Sequence, residues 1–372
     1  MGTINAELLS QGEATQIQYI FCFVLINFLF LITAINKSNN KRPVFIWISI
    51  ILYCLFAFWD TDYFTFRNSF YTSLEDFRDP LYYYISFVSF NSYTFFRLII
   101  WGTALLLFYK AFKQFKVHTN TILFIFVVSY LLLFSQVRAS LGLSMYFYGL
   151  TLILNNKKKN TLKYFYGIML ICCSYLGHRS MILPIVLTPF IFIKYNRKRV
   201  LIIVLAGFAA GNFVSALLAS VASGGVDAYV MSGLSGASDA LETYASMEAI
   251  VTYNWKFLLT RFLRKHIFTT LFAYCAWMCF FSRWRFKITD EVKRMMFMSS
   301  TLFSVAMCFS LVDGLGASIL GNRFMFMLGI PLCITLTKIK DLGACKPIMF
   351  YIVLLPGFLF AEIFILGKIL SF

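Results

Sequence analysis

Charge is what this chain has least of. Only 13% of its 372 residues are charged, against 60% hydrophobic, so no soluble domain of this length can solvate its surface with them. Acids are the scarcer sign, 16 against 33 Lys and Arg. Histidine occurs three times, and Cys172–Cys173 and Cys275/Cys279 lack the CxxC and His spacing of a metal site, so no metal and no cofactor is expected. The nine cysteines lie in apolar segments or beside basic turns, which implies no disulfide framework. Residues 1–16 contain no Lys or Arg, so no cleavable signal peptide is read there. A basic patch on a soluble module is also missing, and nucleic acid is not an expected partner.

What the chain has in excess is apolar length. Aromatics make up 19% of it, with 44 Phe, and apolar runs recur at spacings suited to a ~30 Å hydrocarbon core. Backbone groups in lipid must pair internally, which leaves helices for segments this apolar. The expected fold is all-α: a polytopic integral membrane protein, one transmembrane domain over 1–372, with about 12 spans (roughly 10–14) and short interfacial helices in outer loops. The first two spans cover about 17–34 and 44–59. A polar loop follows, and Asp79-Pro80 looks like the start of a short interfacial helix, LYYYISFVSF. The third span runs from near Tyr93 to Lys110, the fourth covers about 120–134, and the fifth carries Arg138. Spans six to eight cover about 162–176, 181–193 and 200–219. The stretch WKFLLTRFLRKH leads into the ninth, which ends near Phe281; 295–312, 324–336 and 348–366 complete the set.

Orientation follows from the basic residues. The turns after the odd-numbered spans hold 22 of the 33 Lys and Arg and only three acids, Asp290, Glu291 and Asp341. Short basic turns stay cytoplasmic, so both termini and the long loops, about 60–92 and 221–254, are expected outside, where these loops would shape a substrate cavity.

The outer side then carries an unusual set of arginines. Arg97, Arg138, Arg179 and Arg323 each stand at the outer start of a different inward-running span. Within SQVRASLGLSMYFYG, Gln136 and Arg138 open the fifth span, while Gly142 and Gly149 thin part of one face for a neighbouring helix. A cation in a first helical turn is disfavoured by the amide dipoles unless an anion sits there too. One reading is a convergent anion site, since planar guanidinium suits bidentate phosphate contacts. The other is snorkelling, or pairing with the 13 outer acids. Nearby, Asp60, Asp62 and Tyr63 lie in a loop rich in carboxylates and rings, a composition that suits a sugar but also an ordinary interface. His178 occupies a tight outer turn beside Arg179, either as a structural residue or as a working base.

These residues bring a family into view. QVRASLGLSMYFYGL resembles the Gln-x-Arg helix start of EpsG-like, Wzy-type polysaccharide polymerases, and GHRSMILPI resembles their outer His-Ser turn leading into an apolar helix with Pro. DTDYFTFRNSF is similar to their early outer Asp–Tyr–Phe segment, and NRFMF to their late Arg. Arg179 departs from the pattern, where a second His or a small residue is common. The resemblance implies a membrane glycosyltransferase of a bacterial cytoplasmic membrane, with its site facing outward. It would transfer the growing glycan from undecaprenyl pyrophosphate to the sugar of an incoming lipid-linked repeat unit. Partners would be the lipid-linked donor and acceptor, membrane lipid and a chain-length-regulating membrane protein. Arg138 and His178 or Asp62 would be catalytic; Arg97, Gln136, Arg179, Arg323, Asp60 and Tyr63 would bind pyrophosphate and sugar.

Two other classes fit parts of the sequence. A lipid-linked oligosaccharide flippase would need polar groups through both leaflets, whereas charges inside these spans are few and biased outward. A membrane O-acyltransferase would use a His without demanding several outer arginines. Topology is testable at once: thiols engineered at Ser232 and Ser73 should label from outside intact cells, and one at Asn196 should not.

Overall fold

A computed structural model of the chain describes residues 20–21, 24–25, 28, 63–72, 80–118, 122, 137–156, 160–222, 255–310, 321, 324–325 and 327–343. Among these residues there are helices and turns and no strands. The second and twelfth spans, and most of the first and fourth, lie outside them. One described helix, Tyr93–Gln114, is by length and composition long and apolar enough to cross a membrane, so the described residues do not establish the twelve spans expected. Shorter apolar helices cover Ala139–Leu154, Arg179–Phe192 and His266–Phe281. The chain divides into two compact units, Met1–Val186 with Cys345–Phe372, and Leu187–Ala344.

The first unit contains α1 (Tyr63–Thr72) and α2 (Pro80–Val88). Helix α2 is the short aromatic helix expected from Asp79-Pro80, whereas α1 falls in what reads as a polar loop. Its apolar spacing, Tyr63, Phe66 and Phe70, is helical and is masked in the sequence by Arg67, Asn68 and Ser69. Phe70 packs on Tyr71, Tyr93 and Phe96, and Tyr82 joins the same cluster. The Tyr71 hydroxyl accepts from the Tyr93 amide at 3.3 Å, pinning α1 to the start of α3 (Tyr93–Gln114). Ser92 caps α3 by accepting from the Phe95 amide. A buried stripe of Phe96, Ile100, Trp101, Ala104, Phe108 and Phe112 turns one face of α3 inward.

Helices α4 (Val137–Leu154) and α5 (Thr161–Gly177) form the tightest pair of this unit. A methyl at Gly142 would come within 2.8 Å of the Ser174 carbonyl oxygen, and one at Gly177 within 2.9 Å of the Gly142 Cα. Seven residues further along, a methyl at Gly149 would stand 2.6 Å from the Gly167 carbonyl. The thin face read from Gly142 and Gly149 is thus the α5 contact, and Gly177 and Gly167 complete it. Because 142 meets 177 and 149 meets 167, the helices are antiparallel. At the far end the Lys163 ammonium donates to Gln114 Oε1 (3.2 Å) and to the Asn155 carbonyl (3.4 Å), so the C-terminal ends of α3 and α4 meet the N-terminal end of α5. Helix α3 therefore runs parallel to α4.

The segment 179–192 is not the uniform helix expected for the seventh span. It is a 3-10 turn (Arg179–Met181), then α6 (Ile182–Leu187), then a second 3-10 stretch (Thr188–Phe192). Pro189 has no amide to continue the α ladder, so the helix tightens there.

The second unit packs α7 (Arg197–Ala222) against α9 (Asp290–Ser310), where Gly207 abuts Ser304 and the Ser304 hydroxyl donates to the Ile203 carbonyl at 2.7 Å. Helix α8 (Trp255–Ala276) continues as a π-helical turn, Trp277–Phe281; the stretch expected to lead into this span is part of it. Phe272 stacks on Phe303 with centroids 3.9 Å apart, and the Cys275 thiol reaches the Leu332 carbonyl of α10 (Gly329–Asp341). At the basic end, the Tyr195 hydroxyl donates to Asp290, whose other oxygen accepts from Arg294 Nε at 2.6 Å. Burial and then the Asp290 bond push the Tyr195 phenol above its ordinary range. Burial would raise Asp290 too, but Tyr195 and Arg294 outweigh it and hold the carboxyl low.

Gly142→Ala forces its methyl against backbone and should cost roughly 1–3 kcal/mol. Gly102, with nothing within 4 Å of a built Cβ, is the contrasting site, where Ala should be neutral or slightly stabilising. Thermal unfolding of the two variants in detergent tests this.

Candidate active site

The packing above sets the heights of the sequence-selected residues in the first unit. Gln114 and Asn155, which share Lys163, lie 17 residues beyond Arg97 and Arg138 respectively (114 − 97 and 155 − 138). At 1.5 Å per residue both arginine positions stand about 26 Å above that shared point. His178 lies 15 residues beyond Lys163 (178 − 163), about 22 Å along α5. Arg97, Arg138 and His178 therefore gather at one end of the three helices, on elements that touch one another.

Register brings Arg138 closer still. Positions 138, 142 and 149 fall within about 40° of one another around α4, so backbone position 138 is on the helix face that meets α5, one turn before Gly142. A methyl at Gly142 would come within 3.1 Å of the His178 Cβ. Extending the antiparallel register by one turn places Arg138 level with the Arg179–Met181 turn, which also touches α4.

Each of these positions has a local cause. His178 is the extended C-cap of α5: its amide donates to the Ser174 carbonyl at 3.0 Å, and its own carbonyl accepts from Met181 at 2.9 Å. The ring is half-buried and Arg179 is exposed. Arg97 is the fifth residue of α3 and only 1% exposed, an unusual depth for a guanidinium. Tyr146 is a member of this end that sequence reasoning misses. It is fully buried two turns along α4 from Arg138, and its hydroxyl donates to the Pro184 carbonyl at 3.0 Å, tying the His178 turn and α6 back onto α4. Its only signal in the sequence is the spacing Arg138, Gly142, Tyr146 on one face.

Among the described residues, the charges at this end are cationic. Arg97, Arg138 and Arg179 contribute three charges, the N-termini of α3 and α4 about +0.5 each, and the C-terminus of α5 about −0.5. The described residues of this unit contain no Asp or Glu. Asp60, Asp62, Gln136 and Arg323 lie outside the described residues, and Tyr63 is placed as the first residue of α1.

The EpsG family model matches residues 58–369, most of the chain. The chain belongs to the EpsG family. EpsG is a Wzy-like, membrane-associated family of polysaccharide polymerases, and its activity is glycosyltransferase-like. No curated protein and no solved structure matches the chain. In this EpsG chain, the matched region contains the arginines, His178 and the whole α3–α4–α5 arrangement.

Proposed function

We propose that this protein polymerises lipid-linked glycan repeat units on the outer face of a bacterial cytoplasmic membrane, using the end of the first unit where Arg97, Arg138, His178 and Arg179 gather. That gathering is the observation that supports the reading. The reaction is substitution at an anomeric carbon: an acceptor sugar hydroxyl forms the new C–O bond, the bond from that carbon to the pyrophosphate oxygen breaks, and the leaving group departs with the electron pair. The acceptor proton passes to a base. Charge grows on the leaving undecaprenyl pyrophosphate, so fixed cations in a water-poor site lower the barrier. Arg138 and Arg97 suit that role with forked guanidinium donors and helix N-termini behind them. Arg179, Gln136 and Arg323 complete the proposed phosphate set, with Asp60 and Tyr63 on the sugar.

For the base, His178 is placed ahead of Asp62. The C-cap position holds its backbone at two hydrogen bonds, and its Cβ lies against α4 within a turn of Arg138. A base must accept the proton that the acceptor hydroxyl loses, and an imidazole or a carboxylate can do so.

Deleting the gene should leave single repeats on the glycan acceptor and remove long chains, which gel analysis of the extracted glycan reads directly. Arg138→Lys should insert normally yet lose roughly a hundredfold or more in transfer, because a point charge cannot replace a bidentate fork. Full-length polymer from Arg138→Ala at equal expression rules out the anion role. In purified enzyme at equal amounts, His178→Gln should lose most of the transfer rate, roughly a hundredfold or more. A near-wild-type rate in His178→Gln moves the assignment to Asp62, with Asp62→Asn as its own test.

A further inference from the structure

The second unit carries a charged surface that the proposed chemistry does not use. The 3-10 turn Arg283–Phe286 is built by Ser282, whose hydroxyl accepts from the Trp284 amide at 3.1 Å. Arg283 and Lys287 both lie over the Trp284 ring, at 5.8 and 5.0 Å, and Arg285 lies over Phe286 at 4.5 Å. Phe286 itself is 78% exposed. The 194–199 turn joins this patch, because Tyr195 contacts the Phe280 ring and bonds Asp290. Together, 194–199 and 283–294 hold nine Lys and Arg and two acids, Asp290 and Glu291.

Those acids do not neutralise the patch. Asp290 is committed to Tyr195 and Arg294. Among the described residues, no carboxylate pairs with Arg283, Arg285, Lys287, Arg197, Lys198 or Arg199. One turn back along α8, Trp277 (55% exposed) and Phe281 (40%) present the aromatic belt expected where a helix leaves hydrocarbon. Aromatics at the rim, cations just beyond them and an exposed Phe among the cations match the polarity gradient of a lipid interface. In plain water the exposed Phe286 would gain nothing.

We infer that the 283–287 turn, with 194–199 beside it, is a binding site for the headgroup of an anionic phospholipid. Arg283, Arg285 and Lys287 meet the phosphate, while Phe286 and Trp284 enter the acyl boundary and position them by cation–π contact. The guanidinium forks select phosphate geometry, and the stacking holds them preorganised. A turn that served only as a topogenic signal would show no lipid preference once the protein is inserted.

The test uses full-length protein in phosphatidylcholine vesicles with spin-labelled phosphatidylglycerol or spin-labelled phosphatidylcholine, reading the motionally restricted lipid fraction by electron paramagnetic resonance. Wild type should favour phosphatidylglycerol, and the preference should shrink as salt rises. The Arg283→Gln/Arg285→Gln/Lys287→Gln variant should lose about fivefold or more of that preference. Lys110→Gln/Lys116→Gln, which removes exposed cations at the end of α3, should keep it. The proposal is overturned if wild type shows no salt-sensitive preference, if the triple variant keeps it, or if the control loses as much. Should the triple variant fail to fold, Arg285→Gln and the wild-type salt series decide between the same outcomes.

Discussion

The close approach of α4 to α5 is the constraint on which the first unit depends. Lipid tails are as apolar as Leu, so helices in a membrane gain little from hydrophobic burial against each other. What holds them is van der Waals contact and hydrogen bonding, and both need backbones brought near. Gly142 against Gly177, and Gly149 against Gly167, supply two such approaches on one seam. Two fixed points leave α4 unable to slide along α5. Lys163, bonded to Gln114 and Asn155, then sets α3 against both. The heights of Arg97, Arg138 and His178 follow from these contacts rather than from any bond the three residues make to each other.

The two units place their cations in contrasting settings. In the first, Arg97 is buried at 1% exposure and stands beside helix N-termini, where a low dielectric makes each charge count for more. Such a place is expensive to maintain and is useful for a reaction whose leaving group carries growing negative charge. In the second, the cations lie exposed or half-buried in short turns, three of them over aromatic rings, and are bounded by a Tyr195–Asp290–Arg294 network. Solvent screens them singly, and they act as a group on a surface of fixed charge.

Much of this is readable from residues alone. The Pro80 start, and the basic turns that end α3 and α4, carry their own signals, so α2, α3, α4 and α5 lie where the sequence indicates. The thin face of α4 is legible as Gly142 and Gly149. Its partner is not, because Gly167 and Gly177 are ten apart and make a pair with α4 only once the two helices are antiparallel. Helix α1 stays hidden because polar residues interrupt its aromatic spacing. The 3-10 stretches around α6 are equally hidden, because Pro189 marks a break without stating what replaces the α ladder.

Composition and charge placement by themselves determine that the chain is helical and apolar, and local spacing determines which residues are arginine-tipped helix starts. These are properties of short windows, fixed by backbone hydrogen bonding and by the cost of charge in lipid. Only the tertiary structure decided that Arg97, Arg138 and His178 share one level, that Tyr146 ties the His178 turn to α4, and that two distant basic turns meet at Tyr195 and Asp290. Those facts join residues tens of positions apart. They rest on how closely two backbones approach, which glycine permits but cannot assign to a partner until the helices pack.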